Sequence, residues 1–172
     1  LANQKLVVDG ATIRACHEMW DGIYVEPGGA IEIKDNSISG TRSSIEDAMN
    51  GIVVYSTGSS LMIRNADFKR NQMGVRMLGY TPASSTGYNI SGCTFGMGGY
   101  SGMLPTPTGF TNYSRPLTGI QMFLSSVSIP NPAFTGSQAN TFADMNSGIQ
   151  AVFCGEVNVF ENFFSNIRNY DN

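Results

Sequence analysis

A glycine followed by a β-branched residue recurs along this chain at Gly22-Ile23, Gly51-Ile52, Gly74-Val75, Gly119-Ile120 and Gly148-Ile149. Each pair opens a short alternating segment: IYV, IVV, VRM, IQM and IQA. A second apolar anchor follows, at Ile38, Phe68, Phe95, Phe142 and Phe164. Five residues before those anchors stand Ile33, Ile63, Ile90, Ser137 and Val159, and seven before them Ile31, Leu61, Tyr88, Thr135 and Val157. Leu6, Val8 and Ile13 form a partial copy ahead of the first opening. Self-similarity of this kind is the signature of stacked structural repeats.

The return from anchor to next opening is seven residues twice, Phe68 to Val75 and Phe142 to Ile149. Ile45 also lies seven before Ile52, so the stretch after Ile38 reads as a turn with extra residues. The constant unit is about 22 residues, within the usual range for a stacked repeat. Insertions fall near 39–45, 79–87, 96–118 and 125–137. Alternation at period two makes the units β rather than helical. Ser43-Ser-Ile-Glu46 has the form of a helix-capping pattern and is the one local hint of a helical turn.

At 172 residues the chain is read as a single domain, able to bury about 70% of its unfolded surface. The expected fold is all-β, a parallel solenoid of five to six turns with long inserted loops. Aligned turns put like residues over one another. Inward lie Ile23, Ile52, Val75, Ile120 and Ile149, and beside them Val25, Val54, Met77, Met122 and Ala151. The methionines are then core filler rather than metal ligands. Asn36, Asn140 and Asn162, each two before its anchor, are expected at bends.

Two outward columns remain. One reads Tyr24, Val53, Arg76, Gln121, Gln150, and its neighbour Glu26, Tyr55, Leu78, Phe123, Val152. Tyr24, Glu26, Tyr55, Arg76, Gln121, Phe123 and Gln150 are therefore the candidate ligand-binding residues, with rings for sugar faces and amides for hydroxyls. The same columns also read as an ordinary solvated sheet face whose aromatics suit strand geometry.

Net charge is −3 with 13% charged residues. No basic cluster exists to neutralise phosphates, so no nucleic-acid partner is expected. No apolar run is long enough for membrane insertion by a helix. Cys16, Cys93 and Cys154 form no CxxC, and His17 is the single histidine. A zinc site takes about four such ligands, so no metal and no cofactor are expected. Three buried free thiols and a surface histidine are the expectation instead.

A glycosidase needs two carboxylates about 5–10 Å apart, and a calcium-dependent lyase needs several acidic oxygens. Acidic ladders are missing from the aligned columns, and no Asp or Glu occurs between Asp67 and Asp144. Carboxylate or metal catalysis is not expected of this stretch, and no catalytic residue is assigned. Gly96-Met-Gly-Gly-Tyr-Ser-Gly102 lacks the Lys-Ser/Thr of a phosphate loop and reads as a loop root.

The xGI–strand–corner–strand–Asn-x-Ile/Phe pattern resembles the right-handed parallel β-helix family, the pectate-lyase-like fold, over nearly the whole chain outside its loops. Trp20-Asp-Gly-Ile23, and Ile45-Glu-Asp-Ala48 before Gly51-Ile52, look like β-helix regions of multidomain bacterial surface proteins. The resemblance implies an extracytoplasmic address, secreted or on the cell surface. It implies a non-catalytic scaffold or adhesin segment whose partners are a polysaccharide or surface glycan and the other domains of a longer chain. It equally admits a fragment of a polysaccharide lyase or glycoside hydrolase whose catalytic residues lie partly outside these residues. The return segment after Phe164, with no further Gly-Ile, fits a piece of a longer protein.

Overall fold

Period-two alternation turns into strand after strand. The structure, a computed structural model, describes residues 4–55, 59–81, 88–130 and 138–168. Its strands are β1 (Lys5–Asp9), β2 (Thr12–Arg14), β3 (Trp20–Val25), β4 (Ala30–Lys34), β5 (Ser43–Glu46), β6 (Ala48–Tyr55), β7 (Ser60–Arg64), β8 (Ala66–Lys69) and β9 (Met73–Leu78). They continue as β10 (Tyr88–Ser91), β11 (Thr94–Gly96), β12 (Thr118–Phe123), β13 (Val127–Ile129), β14 (Thr141–Met145), β15 (Ser147–Val152), β16 (Val157–Val159) and β17 (Phe163–Ile167). Among the described residues there is no helix. The chain is all-β.

Strand pairing follows one rule. Each strand pairs with strands three places away, giving the sheet orders β1-β4-β7-β10, β2-β5-β8-β11-β14-β17, β3-β6-β9-β12-β15 and β13-β16. All these pairings are parallel. A parallel sheet whose inner face is buried selects for Ile, Val and Leu there, and the registers keep like residues together. Ile23, Ile52, Val75, Ile120 and Ile149 form one row; Val25, Val54, Met77, Met122 and Ala151 form another. Side chains of the three large sheets share a single core, Ile33 and Ile63 meeting Ile45 and Phe68, and Ile52 and Val75.

A third row carries the anchors: Ile13, Ile45, Phe68, Phe95, Phe142 and Phe164. The four phenylalanine rings stack face to face at centroid spacings of 4.7, 4.9 and 5.0 Å. That spacing matches the distance of about 4.7–4.9 Å between neighbouring strands.

Three sequence expectations are corrected here. Ile38 is not an anchor, because it is 95% exposed on a turn that Asn36 closes by accepting from the Ile38 and Ser39 amides. Ile45 takes the position, so the first insertion ends before Ser43, and Ser43–Glu46 is strand β5 rather than a helical turn. An exposed turn cannot bury an isoleucine, and a count made from Ile38 placed the insertion a few residues late. In the fifth unit the strand is Val127–Ile129, paired with Val157–Val159, inside the span read as loop 125–137. Thr135 and Ser137, given those positions by counting back from Phe142, lie outside the described residues.

The bend column is mixed rather than all asparagine. Asn140 is buried; its Nδ2 donates to the Ile90 carbonyl and its Oδ1 accepts from the Cys93 amide. Asn162 lies next to it and accepts from Asn140 Nδ2 while donating to the Ile129 carbonyl. Ser43, not Asn36, serves the early bend, its hydroxyl donating to the Lys34 carbonyl and accepting from the Ala11 amide. The cysteines are all free, but only Cys93 is buried; Cys16 is exposed and Cys154 intermediate. His17 is exposed.

Candidate functional site

The outward columns lie on the sheet β3-β6-β9-β12-β15 in the expected registers. Tyr24 pairs with Val53, Val53 with Arg76, Arg76 with Gln121 and Gln121 with Gln150. In the next column Tyr55, Leu78, Phe123 and Val152 are paired in turn. Strand spacing brings these side chains within reach of one another, and a polar chain results. Arg76 Nε donates to Gln121 Oε1 at 2.8 Å, Arg76 Nη1 to Asn50 Oδ1 at 3.2 Å, and Gln121 Nε2 to Gln150 Oε1 at 2.7 Å. Each long side chain is held by its neighbour, which lowers the entropy lost when a ligand orders it.

Apolar surface flanks this chain. Tyr24 and Tyr55 stack with centroids 6.3 Å apart and planes 17° apart. The Tyr24 phenol titrates above its ordinary value: burial raises it, Asp21 and Tyr55 add to that, and Arg76 and Asn50 oppose. It therefore stays a neutral donor and acceptor at physiological pH. On the other side Arg76, Leu78, Gln121, Phe123 and Val152 surround a concavity of about 320 Å³.

Not every candidate joins the group. Val53 is only 1% exposed and interrupts the column as a contact surface. Glu26 lines a different depression of about 290 Å³ with Lys5, Tyr24 and Ala30. Arg76, Gln121, Gln150 and Phe123 come together around or beside one concavity, with the tyrosine pair at the far end of the same face. Asn50 was missed by sequence reasoning. Period-two counting gives it the parity of inward Ile52 and Val54, but β3 and β6 shift register at Gly22/Ile23. At that shift Gly22 has φ 121°, and a β-carbon there would meet the Asn50 carbonyl oxygen at 1.5 Å.

A second polar cluster was also missed. Glu46 and Asp47 are buried on the corner between β5 and β6. Glu46 accepts from the Ser44 hydroxyl at 2.6 Å and from the Tyr100 hydroxyl at 3.1 Å, and Lys69 Nζ lies 3.5 Å away. Burial alone would push the Glu46 carboxyl up; Ser44, Tyr100 and Lys69 outweigh it and hold the group below its ordinary value. Arg70 Nη2 donates to Asp47 Oδ2 at 2.8 Å, with Nε 2.7 Å from Oδ1 but off the hydrogen-bond direction. Arg70 also lies 3.8 Å from the centroid of the Tyr100 ring. These acids are occupied by internal partners and fasten the 97–117 segment to the strands.

Among the described residues, no group of three or more His, Cys, Asp or Glu is disposed to hold a metal ion. Comparison with known proteins finds no matching family model, curated protein or solved structure.

Proposed function

We propose that the chain is a right-handed parallel β-helix module, pectate-lyase-like in architecture, that works as a non-catalytic scaffold or adhesin segment and binds glycan on its outward strip. Pairing of every third strand supports the solenoid part of this reading, since a chain winding three strands per turn produces that order. The extracytoplasmic address rests on the sequence resemblance.

The observation that carries the binding reading is the chain Asn50–Arg76–Gln121–Gln150, set between the Tyr24–Tyr55 stack and Phe123. Flat rings suit the apolar faces of sugars, and fixed amide and guanidinium donors suit their hydroxyls. A glycan array followed by isothermal titration, repeated with Tyr55→Ala and Arg76→Ala, tests it. Weakened binding in both folded variants is the expected result. Unchanged binding in both removes the strip, and chelator-sensitive cleavage of a bound polysaccharide overturns the non-catalytic reading.

A further inference from the structure

β3 stands at the edge of its sheet. It pairs with β6 and has no strand on its other side among the described residues. An edge strand leaves a row of backbone N–H and C=O groups open to pairing. Bulges and prolines are common means of blunting such an edge, and here they bracket it. The register shift falls at Gly22/Ile23 and Pro27 follows the strand, so Ile23, Tyr24 and Val25 keep regular strand geometry between them.

A depression of about 290 Å³ runs along this stretch, lined by Ile23, Val25 and Glu26 from β3 and its end and by Gln4 and Leu6 from β1 and its start. Ile23 belongs to the inward row whose members Ile52, Val75 and Ile120 are fully enclosed, yet it is only half-buried itself. The depression lies where the next member of that row would stand.

Charge indicates what kind of strand fits. On β1, Lys5 is paired with Glu32 and Asp9 with Lys34. Asp21 and Glu26 are exposed and form no ion pair among the described residues. Opposite charges facing each other across strands stabilise a pair, and like charges oppose it. The far end of the stack carries exposed Glu156 and Glu161, so a second copy docked end to end would set acid against acid.

We infer that the free edge of β3 docks an extended segment of another protein in which apolar and basic residues alternate. The segment adds as a parallel strand, like the existing neighbours in this sheet. Its apolar side chains cover Ile23 and Val25, and its Lys or Arg side chains lie beside Tyr24 and Glu26. Main-chain pairing supplies affinity in this mode, and the alternating side chains supply selectivity. The site is separate from the Arg76 concavity and does not depend on the glycan reading.

The test titrates the whole chain with a nine-residue peptide whose core is Val-Lys-Val-Lys. A Val-Glu-Val-Glu peptide and a backbone N-methylated copy of the basic peptide serve as comparisons. The basic peptide should bind saturably, about tenfold tighter than the acidic one, with the gap narrowing at high salt. N-methylation should abolish binding, and amide exchange across 23–26 should slow in the complex. The double variant Asp21→Lys, Glu26→Lys changes exposed residues only and should reverse the charge preference at an unchanged melting temperature. Saturable binding that survives N-methylation, or no slowing at 23–26, overturns strand addition. Equal binding of the two charged peptides, or no binding of either, overturns the partner assigned here. Concentration-dependent self-association that slows exchange at 23–26 would give the edge to a second copy and overturn it as well.

Discussion

A β-carbon placed on Gly119 would lie 2.5 Å from Cδ1 of Phe142. The same relationship recurs at Gly74 with Phe95, at 2.6 Å, and at Gly148 with Phe164, at 2.5 Å for Cε1. None of these three glycines has a positive φ in the structure, so space rather than backbone freedom requires them. The Gly-Ile openings and the phenylalanine anchors are two halves of one packing unit. Gly119→Ala should therefore destabilise the protein by about 1–3 kcal/mol, as overpacking does. Phe142→Leu in the same chain should recover part of the loss. Denaturant melts of the single and double variants check both, and strict additivity would show that ring and glycine are not coupled.

Ile120 and Ile38 are a matched contrast. Ile120 is fully buried between Val75 and Ile149, while Ile38 lies on an open turn. Ile120→Ala should cost about 2–5 kcal/mol, and Ile38→Ala should stay within about 0.5 kcal/mol of the parent, as exposed substitutions usually do. Comparable losses at the two positions would contradict the register described here.

How much of this was legible from the sequence depended on what each signal measures. The inward rows, the Phe68–Phe164 anchors and the outward strip follow from alternation and spacing, because strand pairing preserves both. Ile38 misled because apolarity was counted without its context: Asn36-Ser-Ile-Ser-Gly40 is turn chemistry, in which one isoleucine does not make a strand. Val127-Ser-Ile129 was hidden by an insertion following the strand rather than preceding it. The Glu46–Arg70–Tyr100 cluster joins residues far apart in the chain through the long loop, and no local pattern reports such a contact.

Cys93 offers a chemical check of the bend. Its thiol is fully enclosed, 3.3 Å from the Ser91 carbonyl, and burial pushes its pKa from 9.0 to about 12. In the native protein at pH 8 a thiol reagent should modify exposed Cys16 quickly and leave Cys93 unreacted, and denaturation should reveal three thiols. The linkage has a definite sign. Above pH 9.0 the unfolded thiol ionises while the folded one resists, so this group's contribution to stability declines as pH rises from about 9 toward about 12. Cys93→Ser should flatten that part of the alkaline stability profile; an unchanged slope would place the thiol in contact with solvent.

Tyr100 joins the long segment to two strands at once, through its hydroxyl on Glu46 and its ring face on Arg70. Further ties hold the same segment: Met19 N–H donates to the Pro105 carbonyl, and Leu117 N–H to the Gln72 carbonyl. Tyr100→Phe keeps the ring and removes one hydrogen bond to a charged acceptor. Local opening of 97–105 should then become easier by about 1 kcal/mol, a roughly fivefold faster amide exchange. Acid should act through the same contact. The Glu46 carboxyl is held below 4.5, so its stabilising contribution is complete above that pH and is lost as pH falls through the lower folded value. Asp47 runs the other way, since burial raises its carboxyl and protonation relieves it. Faster exchange in acid at 97–105 with the β6 core still protected would identify Glu46 as the group that lets go; uniform loss of protection would show that the segment has no separate latch.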